Sequence, residues 1–138
     1  MPWVPCLDRI GTPRLKIGNP ETSLGILAAA GASWRLKELV GEPLAKDILL
    51  AGRVLSGAEA LAAHLLTELV EPEQLLDAAH ALADRLAAQD PLAVRLTKTV
   101  FAAPAEAHPA IDTLAQGILF ESQAKFDRMS AFLERKQK

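Results

Sequence analysis

The chain has one cysteine, few aromatic residues and no excess of basic charge, and each shortage excludes a class of protein. The single cysteine, Cys6, excludes an intrachain disulfide and suits a reducing compartment. Aromatic residues make up only 4% of the chain, and its net charge of -2 gives no reason to expect nucleic acid or an anionic membrane as partner. No apolar stretch approaches the ~20 residues that a membrane span needs. The N-terminus has no basic cluster of the kind that begins a secretory signal, so we predict a cytoplasmic protein.

What is present is enough apolar sequence for one buried core, arranged mostly with helical periods. Hydrophobic residues make up 50% of the 138 positions, as in globular domains. The patterns predict a mainly α fold with a few short strands, the strands at residues 14–17 and 67–70. Helices are predicted at residues 33–41, 43–51 and 56–64, and a capping box between Ser56 and Glu59 begins the third.

The last part of the chain has the pattern of three helices. Pro72 suits a first helical position, and Pro109 begins the last helix. That long helix carries an apolar stripe made of Ile111, Leu114, Ile118, Met129 and Leu133. The chain is therefore expected to consist of an irregular N-terminal segment (residues 1–14), a small mixed region (15–70) and a helical region (71–138).

One carboxylate, Glu21, lies in a setting that suits chemistry. It follows a Gly-Asn-Pro turn and precedes a short apolar run that ends at Gly25, and such turns hold a side chain at the mouth of a fold. A carboxylate held there can act as a general acid or base. The alternative is a first-turn glutamate that the helix dipole favours. The small-residue run 28–33 presents backbone N–H groups that suit a water or an anion, or else it serves close helix packing.

Other catalytic and metal-binding patterns do not occur in the sequence. No metal site is predicted, because the histidines lie far apart and none has a second ligand three or four residues away: His64, His80 and His108. Neither the glycine motifs of nucleotide cradles nor the serine elbow of hydrolases is found. The basic residues at 135–138 suit a helix C-terminus or a phosphate contact.

Taken in order, four segments resemble the C-terminal half of the enoyl-CoA hydratase/isomerase (crotonase) family. Gly18-Asn19-Pro20-Glu21 with Leu24-Gly25 resembles the P-E-x-x-x-G segment of the family. Residues 29–36 resemble its P-G-x-G-G-t-q-R-L run, and residues 45–60 resemble its A-k-e-l-l-l-t-G-r-x-i-x-A-x-E-A stretch. Residues 131–136, Ala-Phe-Leu-Glu-Arg-Lys, resemble its closing A-F-l-E-K-R. The resemblance implies the C-terminal half of a crotonase-like α/β spiral followed by a helical oligomerisation region.

The resemblance also implies a reaction and a set of site residues. In the family, two glutamates and one water add across the double bond of a 2-enoyl-CoA, while two backbone N–H groups polarise the thioester carbonyl. Glu21 corresponds to the second glutamate, and Ala29 to the glycine whose backbone N–H helps to hold the water. Phe132 and Arg135 correspond to positions that touch coenzyme A in a neighbouring subunit. The substrate would be an acyl-CoA, with no cofactor, and the protein would form a homo-oligomer or a complex with another crotonase-like chain.

Departures from the family pattern limit what the resemblance implies. Alanines 28, 29 and 32 replace a proline and two glycines, so any positive φ there would be strained. His64 stands where the family usually has glycine, and Asp127-Arg128 replaces the usual Glu-Gly. The family's first half, with its first glutamate and oxyanion-hole glycines, has no counterpart, so we expect a truncated or split hydratase, inactive as an isolated chain. The alternatives are a non-catalytic helical assembly module that pairs with another crotonase-like chain, and an enoyl-CoA isomerase that uses Glu21 alone.

Overall fold

The computed structural model describes residues 8–136, which form seven α-helices and four two-residue strands. The strands are β1 (Ile10–Gly11), β2 (Lys16–Ile17), β3 (Leu55–Ser56) and β4 (Glu68–Leu69). The helices are α1 (Ala32–Val40), α2 (Glu42–Leu50), α3 (Gly57–Ala62), α4 (Leu75–Ala87), α5 (Pro91–Phe101), α6 (His108–Phe120) and α7 (Gln123–Lys136). Short 3₁₀ turns occupy Glu21–Leu24, Pro72–Gln74 and Ala105–Ala107. The chain divides into two compact units, one ending at Ala81 and the other beginning at Leu82.

The mainly α character predicted from the sequence is confirmed, but two of the four strands, β1 and β3, lie outside the residues where strands were predicted. Strand β1 pairs in parallel with β4, with Ile10 opposite Glu68, and β2 pairs antiparallel with β3. The prediction of irregular chain over residues 1–14 is therefore wrong at Ile10 and Gly11. Two residues carry no period of their own, and this strand depends on a partner almost sixty positions away. Cys6 lies outside the described residues.

The first unit has a core built from small helices around β3. Its largest fully buried side chains are Leu36, Ile48, Leu55 and Leu65. Helices α1 and α2 pack on each other, and the alanines that face the core are also buried: Ala28, Ala32, Ala45 and Ala60. Small side chains at these positions let the backbones approach closely.

The predicted capping box at the start of α3 is confirmed. The Ser56 hydroxyl accepts from the Glu59 N–H at 3.3 Å, and the Ser56 N–H donates to Glu59 Oε2 at 2.8 Å. Arg53 joins the same cluster, since its guanidinium lies 3.0 Å from Asp47 Oδ2 and 3.0 Å from Glu59 Oε1. Bonds from the Ser56 N–H and hydroxyl, followed by the one from Arg53, lower the pKa of Glu59 to about 2. The cluster ties the end of α2 to the start of α3.

The helical end of the chain is more divided than its sequence pattern predicts. Four helices, α4 to α7, lie in the described part of the region where three were expected. The prediction of one long helix from Pro109 is wrong, because the helix breaks at Glu121 and Ser122. Ser122 donates its hydroxyl to the Leu119 carbonyl at 2.8 Å, and its Oγ accepts from the Lys125 N–H at 3.3 Å. That serine caps the start of α7, which its position in the sequence could have signalled. Among the described residues, no helix is both long and apolar enough to cross a bilayer.

Candidate functional site

The turn that carries Glu21 is held by a close approach of two strands. After β2, a Cβ at Gly18 would lie 2.9 Å from the Arg53 carbonyl oxygen, so only glycine fits there without displacing backbone. Asn19 follows and is 2% exposed. Glu21 then begins a 3₁₀ turn whose last residue is followed by Gly25 at a φ of 72°. The Glu21 carbonyl accepts from the Ile26 N–H at 3.1 Å, which closes the turn.

The two carboxylate oxygens of Glu21 have different surroundings. Asn19 Nδ2 donates to Glu21 Oε1 at 3.4 Å. Glu21 Oε2 is shielded from bulk solvent and has no hydrogen-bond partner among residues 8–136. A buried polar atom without a partner is costly, so native proteins rarely keep one unless a ligand or water meets it. The arrangement can hold one oxygen while the other binds a polar ligand.

In the small-residue run 28–33, backbone strain lies at a different residue from those that the sequence suggested. The φ of Ala30 is 53° and that of Gly31 is 84°, whereas the three alanines that replace proline and glycine do not have positive φ. The backbone therefore needs the left-handed region at Ala30, where an L-residue is strained. The Ala29 carbonyl accepts from the Ala32 N–H at 3.1 Å. Within the described chain, the Ala29 N–H donates no hydrogen bond and stays available to a ligand.

A groove of about 340 Å³ is lined by residues next in sequence to Glu21 and Ala29, but not by those two residues themselves. Its lining also includes residues of α1 and α2, and among the lining residues are Thr22, Leu27, Ala28, Lys37, Glu42 and Lys46. Within this lining, Glu42 lies 2.6 Å from Lys46 Nζ and 3.3 Å from Lys37 Nζ. These bonds, that of Lys46 first, hold the pKa of Glu42 below its ordinary value. This cluster was not predicted, although the i,i+4 spacing of Glu42 and Lys46 indicates that their side chains can pair.

Phe132 and Arg135 lie on α7, in the second unit. Phe132 lines a groove of about 530 Å³ together with Phe120 and Met129, and about half of its side chain is exposed. Arg135 is exposed and its Nε lies 3.4 Å from the Ala131 carbonyl oxygen. The two residues are one turn apart on the same helix. The four candidate residues thus divide between the units, with Glu21 and Ala29 in the first and the other two in the second.

The other titratable groups form no metal-binding cluster in the region that the structure describes. No group of three His, Cys, Asp or Glu side chains comes together between residues 8 and 136. His108 Nε2 lies 3.1 Å from the Ala103 carbonyl oxygen, and His64 occupies a backbone turn with a φ of 58°. Both histidines therefore lie in backbone turns or helix ends rather than in a cluster of titratable groups.

Residues 10–138 match the family model described as enoyl-CoA hydratase/isomerase. The chain belongs to the enoyl-CoA hydratase/isomerase family. The crotonyl-CoA hydratase of Syntrophomonas wolfei is 34% identical over 137 residues, which cover 96% of this chain and 53% of that protein. The short-chain-enoyl-CoA hydratase of Clostridium acetobutylicum is 30% identical over 136 residues, covering 96% of this chain and 52% of the relative.

Solved structures share the fold of this chain over about half of their own length. The enoyl-CoA hydratase of Bacillus anthracis superposes with a TM-score of 0.87 at 28% identity, covering 94% of this chain and 52% of that one. DspI of Pseudomonas aeruginosa gives a TM-score of 0.87 at 30% identity, covering 94% and 51%. The family resemblance and the crotonase-like fold predicted from the sequence are therefore confirmed. The chain spans about half the length of the relatives it matches.

Proposed function

We propose that this chain supplies the Glu21 half of a hydratase site that adds water to a 2-enoyl-CoA. The observation that carries the proposal is the Glu21 carboxylate, on the turn that resembles the family's P-E-x-x-x-G segment, with one oxygen shielded and without a partner among residues 8–136. Such a carboxylate can transfer a proton in general acid–base catalysis. Hydratase relatives that match nearly the whole chain support this class of reaction over the others.

In the proposed reaction, Glu21 and the Ala29 N–H act on the water. The free Ala29 N–H would donate to the water oxygen, while Glu21 would exchange a proton with the reacting atoms. Phe132 and Arg135, on α7, would contact the coenzyme A moiety of a neighbouring subunit, with the guanidinium beside phosphate and the ring beside an apolar or adenine surface. The thioester substrate already contains coenzyme A, and the proposed mechanism uses no cofactor or metal. We further propose a cytoplasmic enzyme, as the composition predicts.

The oxyanion donors and the first glutamate must come from polypeptide equivalent to the half of its relatives that this chain does not cover. An oxyanion hole typically contributes several kcal/mol of barrier lowering, about 2.7–4 for one donor. We therefore expect the isolated chain to be inactive. Two other functions stay open: a non-catalytic module that pairs with another crotonase-like chain, and an isomerase in which Glu21 alone shuttles a proton along a 3-enoyl-CoA.

A fusion protein tests the three possibilities. The part of the Syntrophomonas wolfei crotonyl-CoA hydratase that the chain does not cover would precede this chain in one polypeptide. We expect the fusion to hydrate crotonyl-CoA. The loss of the enoyl-thioester absorbance measures this reaction. The change Glu21→Gln keeps the shape of the side chain but removes its transferable proton, and should lower kcat by ~10²–10⁴-fold.

The matched control is Glu38→Gln, an exposed glutamate on α1, which should leave kcat unchanged. A loss below about tenfold for Glu21→Gln would exclude Glu21 as an acid–base group. A fusion that melts cooperatively yet hydrates no crotonyl-CoA would refute the hydratase proposal. Conversion of a 3-enoyl-CoA by that fusion would then favour the isomerase, and inactivity on both substrates would favour the assembly module.

A further inference from the structure

We propose that Asn19 is a positioning residue for Glu21, and that Oε2 is the Glu21 oxygen that carries the transferred proton. The inference rests on the proposed function, because it assigns a second residue to the same acid–base group. The two oxygens of the Glu21 carboxylate differ in their surroundings. Asn19 Nδ2 lies 3.4 Å from Glu21 Oε1, whereas Oε2 is shielded from solvent with no partner in the described chain.

Asn19 is placed to act as a rigid donor. Only 2% of the residue is exposed, and it is the one buried polar residue among those that the structure describes. Its neighbours fix its backbone on both sides. Gly18 is pressed against the Arg53 and Val54 backbone, and the following Pro20 restricts Asn19 to extended conformations. A buried amide is stable only when it is hydrogen-bonded, and one of the bonds of this amide goes to Glu21.

The chemistry of an amide then selects one carboxyl oxygen. The Asn19 NH₂ group can only donate, so the oxygen that faces it must accept in every protonation state of Glu21. In the acid form, the oxygen that accepts is the carbonyl oxygen, and the proton is carried on Oε2. In the carboxylate form, Oε2 is the oxygen with an unused lone pair. The same atom therefore loses and regains the proton, while Asn19 stays bound to Oε1.

The Asn19 amide also fixes the orientation of the carboxyl group. It prevents the group from rotating to exchange its two oxygens, so the same oxygen would carry the proton in every cycle. Positioning of this kind affects rate rather than affinity, since misplacing a reacting group by 1 Å can cost ~10²-fold in rate.

The first test uses the isolated chain and does not depend on activity. In NMR spectra, the Asn19 side-chain NH₂ resonances should move in Glu21→Gln, because a hydrogen bond to a carboxylate becomes a weaker one to a neutral amide. They should stay in place in the control Glu38→Gln. Asn19 resonances that respond equally to both changes would overturn the proposed contact.

The second test uses the fusion described above and separates kcat from KM. Asn19→Ala should lower kcat by ~10²-fold with little change in KM. In Asn19→Asp the new side chain has the same size, but its carboxylate donates no hydrogen bond. This variant should therefore lose as much kcat as Asn19→Ala. Glu38→Gln, at an exposed residue of α1, is the control and should keep the wild-type kcat.

Each result of the second test has one meaning. Wild-type kcat in Asn19→Asp, or an effect confined to KM, would show that Asn19 only fills space and would overturn the proposal. Variants are compared only when their thermal melts remain cooperative, and the NMR test decides the contact if neither Asn19 variant folds. An inactive wild-type fusion would refute the proposed function but not the contact between Asn19 and Glu21. The NMR resonances of the isolated chain test that contact independently of activity.

Discussion

Replacing His64 by glycine should stabilise the protein, because this histidine occupies a backbone conformation that favours glycine. Helix α3 ends in a Schellman motif: the His64 N–H donates to the Leu61 carbonyl at 3.0 Å, and the Leu65 N–H donates to the Ala60 carbonyl at 2.8 Å. The backbone of His64 connects these two N–H groups, and the motif requires it to be left-handed. The φ of His64 is 58°. Leu65 and Ala60 are both fully buried, so the motif cannot open without exposing core.

The magnitude follows from two opposing effects. A left-handed L-residue costs roughly 1–2 kcal/mol, whereas glycine loses about 0.5–1 kcal/mol more backbone entropy on folding than a residue with a side chain. His64→Gly should therefore gain about 0.5–1 kcal/mol, equivalent to a rise in Tm of roughly 2–4 °C for a chain of this size. Urea and thermal unfolding followed by circular dichroism measure both quantities.

The change His64→Ala separates backbone strain from any contact of the imidazole. Alanine keeps the Cβ that causes the strain, so its unfolding midpoint should stay near that of the wild type. A glycine variant no more stable than the alanine variant would show that the turn is not strained. A gain of equal size in both variants would attribute the effect to the imidazole and refute the argument from φ.

Three other measurements test the fold and its assembly. Gly18→Ala should lower stability by ~1–3 kcal/mol, because its methyl would lie 2.9 Å from the Arg53 carbonyl oxygen; an unchanged urea midpoint would contradict this. The pKa of Glu59 is lowered from 4.5 to about 2, so its stabilisation is complete above pH 4.5 and is lost as the pH falls towards 2. In acid titrations, Glu59→Gln should flatten the pH dependence of the free energy of unfolding in that window. An unchanged slope would show that Glu59 does not cause this loss of stability. Light scattering at low micromolar concentration should detect an oligomer, since both units expose large apolar side chains, among them Leu27 and Phe101; a 14.8 kDa monomer would refute this.

Local signals in the sequence predicted most of the first unit. Ser56 and Glu59 at capping-box spacing located the start of α3, and Gly41 separated α1 from α2 as expected. These signals succeed because each is satisfied within one turn of helix, where the partners are close in sequence. The short strand at Lys16–Ile17 was also placed correctly, at the end of an alternating segment.

The features that escaped prediction depend on distant or finely placed partners. Strand β1 exists because Ile10 lies beside Glu68. The break before α7 depends on one serine in an otherwise continuous apolar period, and the period favoured an unbroken helix. For the site, the sequence located Glu21 on its turn, but no pattern distinguishes its two oxygens. That difference arises from the burial of Asn19, which looks like an ordinary turn residue until Gly18 is seen against the Arg53 backbone.

The three proposed functions make different demands on the Glu21 turn, so one substitution there distinguishes between them. A module that serves only assembly would lose nothing if Glu21 were an exposed carboxylate with both oxygens hydrated. Here one oxygen is held by a buried amide and the other is kept from solvent, which costs stability in the absence of a ligand. Strain and unpaired polar atoms of this kind persist where function maintains them. An assembly module should therefore gain stability from Glu21→Leu without losing binding to its partner, whereas a hydratase or isomerase should gain stability and lose its reaction.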